Sequence, residues 1–251
     1  TKVAGILNGT TNFILTKMYN DNMQFEDALK LAQELGYAEK DPTADIEGHD
    51  ACRKICIIAS LVFGKHVYPD SVTTKGISQV SLEDVAAADV LGCAVKLIAC
   101  VEKLENGKIL PTVMPMLVPQ ENIIAGVSDV FNAVLVYGDG IDQTMFYGRG
   151  AGKLPTASAV LGDVIESVKE ENTVLSQTWE SSEDSSFIAD ISEFTARWYF
   201  RVPESNKPAD LEGVYCENGF AHFITEDKLS YNEAAEKAEK LGAVAYIPVL
   251  D

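Results

Sequence analysis

Apolar residues recur at i, i+3 and i+4 through residues 12–19 and again through 25–35. That spacing predicts two amphipathic helices, the second closed by Gly36 as its cap. The stretch 39–48 is polar and contains Asp41-Pro42, a pair that resists helix at the aspartate, so a loop is expected. Residues 50–63 are apolar around most of a helical circumference, which predicts a deeply packed helix ended by Gly64. From residue 91 the period changes. Pattern alone leaves 91–104 open between strand and helix, and the hairpin signal Glu105-Asn106-Gly107-Lys108 decides for a strand. Further strands are expected at 109–118, 123–127, 132–137 and 143–148, then a glycine-rich loop and a helix over 155–169. Residues 170–186 are acidic and serine-rich and read as a linker. A compact unit follows: strand 195–202, strands near 214–216 and 220–225, helix 231–241 and strand 243–249. There is no internal repeat.

Strands joined by hairpins and covered by helices predict an α+β fold with a mixed or mostly antiparallel sheet, not a doubly wound one. The expected division is a main domain over 1–170, a linker over 171–194 and a small unit over 195–251. At 251 residues and 47% hydrophobic content, the chain can bury one large core with an appendage. A net charge of −18 opposes binding to nucleic acid or an anionic membrane surface, because phosphates would be repelled. The longest apolar run, 55–63, is far short of the roughly 20 residues of a bilayer span. The chain has no leader pattern and enters directly on the apolar Val3-Ala4-Gly5-Ile6-Leu7, which reads as a domain cut from a longer polypeptide. Four of the five cysteines lie in apolar periodic stretches without metal-ligand spacing, so reduced thiols in a cytoplasmic protein and no metal site are expected.

Three segments carry candidate chemistry. In the first, residues 5–13, small polar residues stand at a helix start. Either the exposed N–H groups hold an anion, or Thr10 or Thr11 is an ordinary N-cap. The second, residues 36–54, gathers Glu39, Asp41, Asp45, Glu47 and Asp50 ahead of an apolar helix. Asp50 and Lys54 are one turn apart, with Glu47 on the same stripe. A lysine held there is desolvated yet charged, suited to proton donation; the alternative is a salt-bridged helix start favoured by the dipole. The third, residues 148–156, is glycine-dense and opens a helix. It satisfies neither the P-loop nor the GxGxxG pattern, and it is either an anion or cofactor loop or a plain turn. His49, His66 and His222 are scattered and read as structural or exposed.

In order and spacing, these segments resemble the homoserine dehydrogenase family over about residues 3–168. The matching stretches are Asn-Gly-Thr-Thr-Asn, Gly-Tyr-Ala-Glu-x-Asp-Pro-x-x-Asp-x-x-Gly-x-Asp-x-x-x-Lys, and Gly-x-Gly-Ala-Gly-x-x-Pro-Thr-Ala. The resemblance implies NAD(P)-linked reduction of L-aspartate 4-semialdehyde to L-homoserine, on the way to threonine, methionine and isoleucine. It implies that Lys54 transfers the proton at the substrate oxygen, with Asp50 beside it. Glu39 receives the substrate ammonium, Tyr37 and Thr10 line the pocket, and Asp45 supports the substrate and the lysine geometry. Gly148, Gly150, Ala151 and Gly152 approach substrate and nicotinamide. It further implies a homodimer, and an amino-terminal Rossmann domain that binds most of the cofactor, together with a monovalent cation in the full-length enzyme. The tail resembles a ferredoxin-like (ACT-like) βαββαβ unit with a short first helical region, 206–213, and no effector turn. The rival reading is a non-catalytic amino-acid-binding regulatory module; mere binding would not need Lys54 with Asp50 and Glu39.

Overall fold

The computed structural model describes residues 2–169, 179–181, 184–208 and 213–250. Strand β1 (Lys2–Ile6) leads into α1 (Gly9–Asp21), α2 (Phe25–Glu34), the short α3 (Thr43–Ile46) and α4 (His49–Phe63). Next come β2 (Thr73–Thr74), α5 (Leu82–Val90), the long hairpin β3 (Cys93–Lys103) and β4 (Ile109–Pro119), a second hairpin β5 (Phe131–Gly138) and β6 (Asp142–Arg149), and α6 (Lys153–Lys169). These strands form one six-stranded sheet in the order β2-β4-β3-β1-β5-β6, antiparallel except for β2 with β4. The mostly antiparallel α+β expectation therefore holds.

The two faces of the sheet bury different residues, as the two-residue period of a strand requires. Val95, Leu97, Ala99 and Val113 pack with Phe13, Ile14, Ile55 and Ala59 of α1 and α4. Ile6, Ile98, Met114, Met116 and Leu135 form the core of the other face. The β3–β4 turn is closed by Leu104 N–H donating to the Lys108 carbonyl at 2.8 Å, with Gly107 at φ +83°, a conformation that favours glycine.

The tail contains β7 (Thr195–Ala196), β8 (Trp198–Pro203), β9 (Tyr215–Glu217), β10 (Phe220–Ile224), β11 (Leu229–Ser230), α7 (Tyr231–Leu241) and β12 (Ala245–Pro248). Its four-stranded antiparallel sheet runs β12-β8-β10-β9, the spatial order that a split βαβ plan produces. α7 begins at a capping box between Ser230 and Glu233 and packs Ala234 and Ala238 onto Trp198, Phe200 and Phe223. A 3-10 turn, Glu204–Asn206, follows β8; residues 209–212 of the expected first helical region lie outside the described residues. The tail shares a core with the main unit. Tyr199, Ile247 and Val249 join the cluster around α1 and α4, and Leu250 N–H donates to the Leu117 carbonyl at 2.8 Å. Within the expected linker, Ile188 bridges to Ile109, while residues 170–178, 182 and 183 lie outside the described residues.

Several expectations need correction. Residues 123–127 are not a strand but a 3-10 turn, Ile123–Gly126, started by Asn122, whose side chain accepts from Ile124 N–H and closes the backbone locally. Ahead of the expected helices, the apolar entry of the chain forms a central strand, β1, which fills the gap between β3 and β5. The polar stretch 39–48 contains α3, and α5 forms on a Ser81–Asp84 capping box that its short run of periodicity does not reveal. α4 is packed on one face only: Ile55, Cys56 and Ala59 are buried, whereas Ile57, Leu61 and Val62 are exposed. Its apolar circumference exceeds the core available to it. Cys52, Cys56, Cys93 and Cys100 are buried free thiols, and Cys216 is exposed.

Candidate active site

The site is assembled around one amide. Asn8 stands in extended backbone at the start of α1 and caps it, its Oδ1 accepting Thr11 N–H at 2.9 Å. The other half of that amide, Nδ2, donates to Asp45 Oδ1 at 2.7 Å and to Asp50 Oδ2 at 2.9 Å. Asp50 Oδ2 also accepts from Lys54 Nζ at 2.7 Å, and Lys54 Nζ donates to the Leu7 carbonyl at 3.0 Å. Residues 37 to 47 positions apart in sequence are thereby fixed to one helix start. Two of the three ammonium protons of Lys54 are used among the described residues, which leaves one donor for a ligand oxygen. Two carboxylates against one ammonium leave the cluster with an excess negative charge, suited to a cationic ligand group.

Thr10 Oγ1 donates to the Tyr37 carbonyl at 2.6 Å, and the Tyr37 ring stands edge-on to Phe13 with centroids 5.1 Å apart. The turn after α2 is thus tied to α1. The Glu39 carbonyl accepts from Gln33 Nε2 at 3.1 Å, while its exposed carboxylate has no partner among the described residues. The backbone is held and the charge is left available. Gly148 pairs with Asn132 in the β5–β6 ladder, and Gly150, Ala151 and Gly152 are exposed, with Gly152 at φ +114°. Asn132 links this loop to the cluster: its amide lies between Gly150 and Gly9, the residue after Asn8.

Lys54 differs from the sequence expectation in one respect. Its side chain is 46% exposed and that of Asp50 31%, so neither is desolvated by the described residues. Glu47 does not join their stripe either. It turns away, with Gly76 packed against it, because α3 and the left-handed Gly48 interrupt the helix before α4 begins. Glu47 lines, with His49, Lys75, Trp198 and Tyr246, a cavity of about 580 Å³ beside the tail sheet, which includes none of Asn8, Asp45, Asp50 or Lys54. The chemistry-bearing cluster is therefore an open surface site distinct from that cavity. Among the described residues no group of three or more histidine, cysteine or carboxylate side chains is placed to hold a metal ion. No helix among them is long and apolar enough to cross a membrane.

Sequence reasoning missed Asn8, assigning the cap to Thr10 or Thr11. Asparagine ahead of Gly-Thr-Thr was the available signal, since it ranks among the best N-caps. It also missed a buried support behind α1. Lys96 on β3, 5% exposed, donates to the Val127 carbonyl at 2.7 Å and to Asn12 Oδ1 at 3.3 Å. Asn12 Nδ2 in turn donates to the carbonyls of Val127, Asp129 and Phe131. Burial pushes the Lys96 ammonium down to about 8, with Asp129 partly opposing the shift. A lysine in a strand otherwise apolar was visible; its partners were not.

The homoserine dehydrogenase family model matches residues 1–165. The chain is 47% identical over 169 residues to homoserine dehydrogenase of Bacillus subtilis, covering 67% of this chain and 39% of that relative. It is 43% identical over 276 residues to homoserine dehydrogenase of Synechocystis sp., covering 98% of this chain and 64% of that relative. A homoserine dehydrogenase crystal structure from Thiobacillus denitrificans superposes with TM-score 0.86 at 32% identity, over 100% of this chain and 64% of the other. One from S. aureus gives 0.80 at 35% identity, over 100% and 65%. An archaeal homoserine dehydrogenase mutant in complex with NADPH gives 0.57 at 30% identity, over 68% and 48%. The chain thus spans between 39% and 64% of the length of these curated relatives. With the family model over 1–165, the shared fold and the motif residues drawn together at the start of α1, the chain belongs to the homoserine dehydrogenase family.

Proposed function

We propose that this chain is the substrate-binding and catalytic part of an NAD(P)-dependent homoserine dehydrogenase, reducing L-aspartate 4-semialdehyde to L-homoserine within a longer polypeptide. The observation that carries the reading is the Asn8–Asp50–Lys54 chain of hydrogen bonds, which aims an ammonium with one free donor into an open, acid-lined site. The nicotinamide, when bound, would supply the hydride that reduces the aldehyde carbon. The oxygen left behind gains negative charge, which Lys54 stabilises and protonates. Asp50 orients Lys54, while Asn8 fixes both Asp50 and Asp45 from the other side. Glu39 receives the substrate ammonium, with Tyr37 and Thr10 as the wall between them.

The half-buried Gly148 and the exposed Gly150, Ala151 and Gly152, which carry little or no side chain of their own, fit close approach of a nicotinamide. The body of the dinucleotide belongs on a Rossmann domain elsewhere in the polypeptide; the sheet described here is antiparallel in all but one pairing. The exposed apolar side of α6, including Leu154, Val160, Leu161 and Val168, supports a further domain or subunit against it. Homodimer formation through the main sheet, with exposed Phe146 and Tyr147 on the edge strand β6, is part of the same reading. The tail is proposed as an ACT-like unit in which assembly and stability outweigh effector sensing. The products would feed threonine, methionine and isoleucine synthesis in the cytoplasm.

The test is NAD(P)H oxidation with L-aspartate 4-semialdehyde, using this chain alone and joined to an amino-terminal dinucleotide-binding domain. Turnover is expected only in the joined form, since bringing donor and acceptor together supplies much of the rate. Turnover by the chain alone overturns the division of labour. No turnover in either overturns the function.

A further inference from the structure

Asn132 presents a contradiction that the residues described so far do not resolve. Its Oδ1 is shielded from solvent and has no hydrogen-bond partner among the described residues. A buried acceptor left unpaired lowers stability, so the amide is not retained for the sake of the fold. Its position is constrained on two sides. A Cβ built at Gly150 would lie 2.5 Å from Asn132 Nδ2 and 2.8 Å from its Cγ. A Cβ built at Gly9 would lie 3.3 Å from Asn132 Oδ1 and 2.8 Å from the Val130 carbonyl. The amide is wedged between the glycine loop after β6 and the first residue of α1. Pushed away from one glycine, it moves toward the other.

The backbone that carries this wedge is itself anchored. Asn12 Nδ2 donates to the carbonyls of Val127, Asp129 and Phe131, and Asp129 N–H donates to Thr16 Oγ1 at 3.0 Å. Residues 127–132 are therefore fixed to α1, one turn from Asn8. On the other side, Asn132 is the cross-strand neighbour of Gly148, which fixes it relative to the glycine loop. One short side chain thus measures the gap between the part of the molecule that holds Asp50 and Lys54 and the part offered to the nicotinamide.

Building on the proposed homoserine dehydrogenase function, we propose that Asn132 is a positioning residue, a spacer that sets the distance between the Gly148–Gly152 loop and the amino end of α1. Gly150 is a glycine because this amide fills the room a side chain would need, whereas at Gly9 the Val130 carbonyl does so first, with the amide next to it. Hydride transfer is sensitive to such a distance, since a misplacement of about 1 Å can lower a rate a hundredfold. The spacer acts on the approach of the two reactants more than on the hold on either.

The experiment is a double-mutant cycle in the polypeptide carrying its dinucleotide-binding domain, following Asn132→Ala, Gly150→Ala and the pair, with kinetics and thermal melts run together. Asn132→Ala is expected to melt no lower than the native protein, because an unpaired acceptor is removed, while kcat falls about tenfold or more and KM for the aldehyde changes little. Gly150→Ala is expected to lower kcat at least as far, because its methyl group displaces the loop against the amide. The double variant is expected to recover part of that loss, since the new methyl group occupies the vacated space. A structural role alone would instead lower the melting temperature of Asn132→Ala and leave kcat of the folded protein near native. That result, or a double variant whose losses simply add, overturns the proposal. If the native polypeptide shows no turnover with aldehyde and NAD(P)H, the functional reading fails and this inference with it. An active native protein with an additive cycle sinks the spacer alone.

Discussion

Two aspartates occupy the first turn of a helix, where the dipole favours a carboxylate, and both face a basic side chain. Their surroundings give them opposite tasks. Asp84 on α5 is fully buried. It accepts from Ser81 N–H and Oγ and from Tyr199 Oη, and Arg201 Nε lies 3.2 Å away in an ion pair whose geometry does not make a hydrogen bond. Tyr199 Oη also meets His222 Nδ1 at 2.8 Å. Burial pushes the tyrosine hydroxyl up and the imidazole down, so both stay neutral near pH 7. Asp50 on α4 is partly exposed and shared between Asn8 and Lys54, and that lysine keeps a free donor among the described residues. The saturated carboxylate is a joint between the tail and the main unit. The unsaturated one belongs to the proposed reaction site. Unused hydrogen-bonding capacity at the surface, more than the presence of an ion pair, is what distinguishes the proposed site from the joint.

The largest effect should come from breaking the joint. Asp84→Ala leaves Arg201 without its buried partner, and removing one member of a buried pair costs about 3–5 kcal/mol. Urea unfolding should show that loss. A change below about 1 kcal/mol would mean that the tail docks independently of this contact.

The open pair should behave in reverse. Lys54→Ala is expected to lower kcat by roughly a hundredfold or more while KM stays close to native, as for loss of one general acid or oxyanion partner. Its stability should change by less than about 1 kcal/mol, because an exposed pair contributes little. Steady-state kinetics beside melts decide between the roles. A folded Lys54→Ala protein with near-native kcat would remove the catalytic assignment.

Lys96 tests how a buried cation differs from both. Its folded value of about 8 lies below the ordinary lysine value, so the unfolded chain binds more protons between about pH 8 and 10.5. Stability contributed by this group therefore rises with pH across that window; the charged form is penalised below it. Integrated from pH 8 to 10, the gain is about 2 kcal/mol. The difference between native and Lys96→Met unfolding curves over that range should carry it, with other titrating groups cancelling. A pH-independent difference would show that Lys96 keeps its ordinary affinity for protons.

The smallest effect should be at Glu39, the proposed substrate-binding charge, whose carboxylate has no partner among the described residues. Glu39→Gln is expected to raise KM for the amino-acid substrate about tenfold, with kcat nearly preserved, since it removes a charged acceptor used by substrate and transition state alike. Its melting point should not move. A kcat loss comparable to that of Lys54→Ala would place Glu39 in the chemical step.

The sequence by itself determined the hairpins, the long helices, the mostly antiparallel sheet and the family motifs. These depend on features written locally: a period of two or of 3.6, a turn such as Asn106-Gly107, and the one-turn spacing of Asp50 and Lys54. What reached beyond local pattern was decided by the tertiary structure. β1 became a central strand because β3 and β5 left room for it. Residues 123–127 became a turn because Asn122 capped them, and α4 kept one apolar face uncovered because the core ended there. The site divides the same way. Lys54, Asp50, Asp45, Glu39, Tyr37 and Thr10 were legible from spacing and resemblance, whereas the Asn8 amide that binds Asp45 to Asp50 was not. Neither were Lys96 behind α1 nor Asn132 between two glycines. Asn8 and Lys96 hydrogen-bond to partners 31 to 84 residues away, and Asn132 packs between glycines 123 residues before it and 18 after it; contacts of that reach exist only once the sheet has brought its ends together.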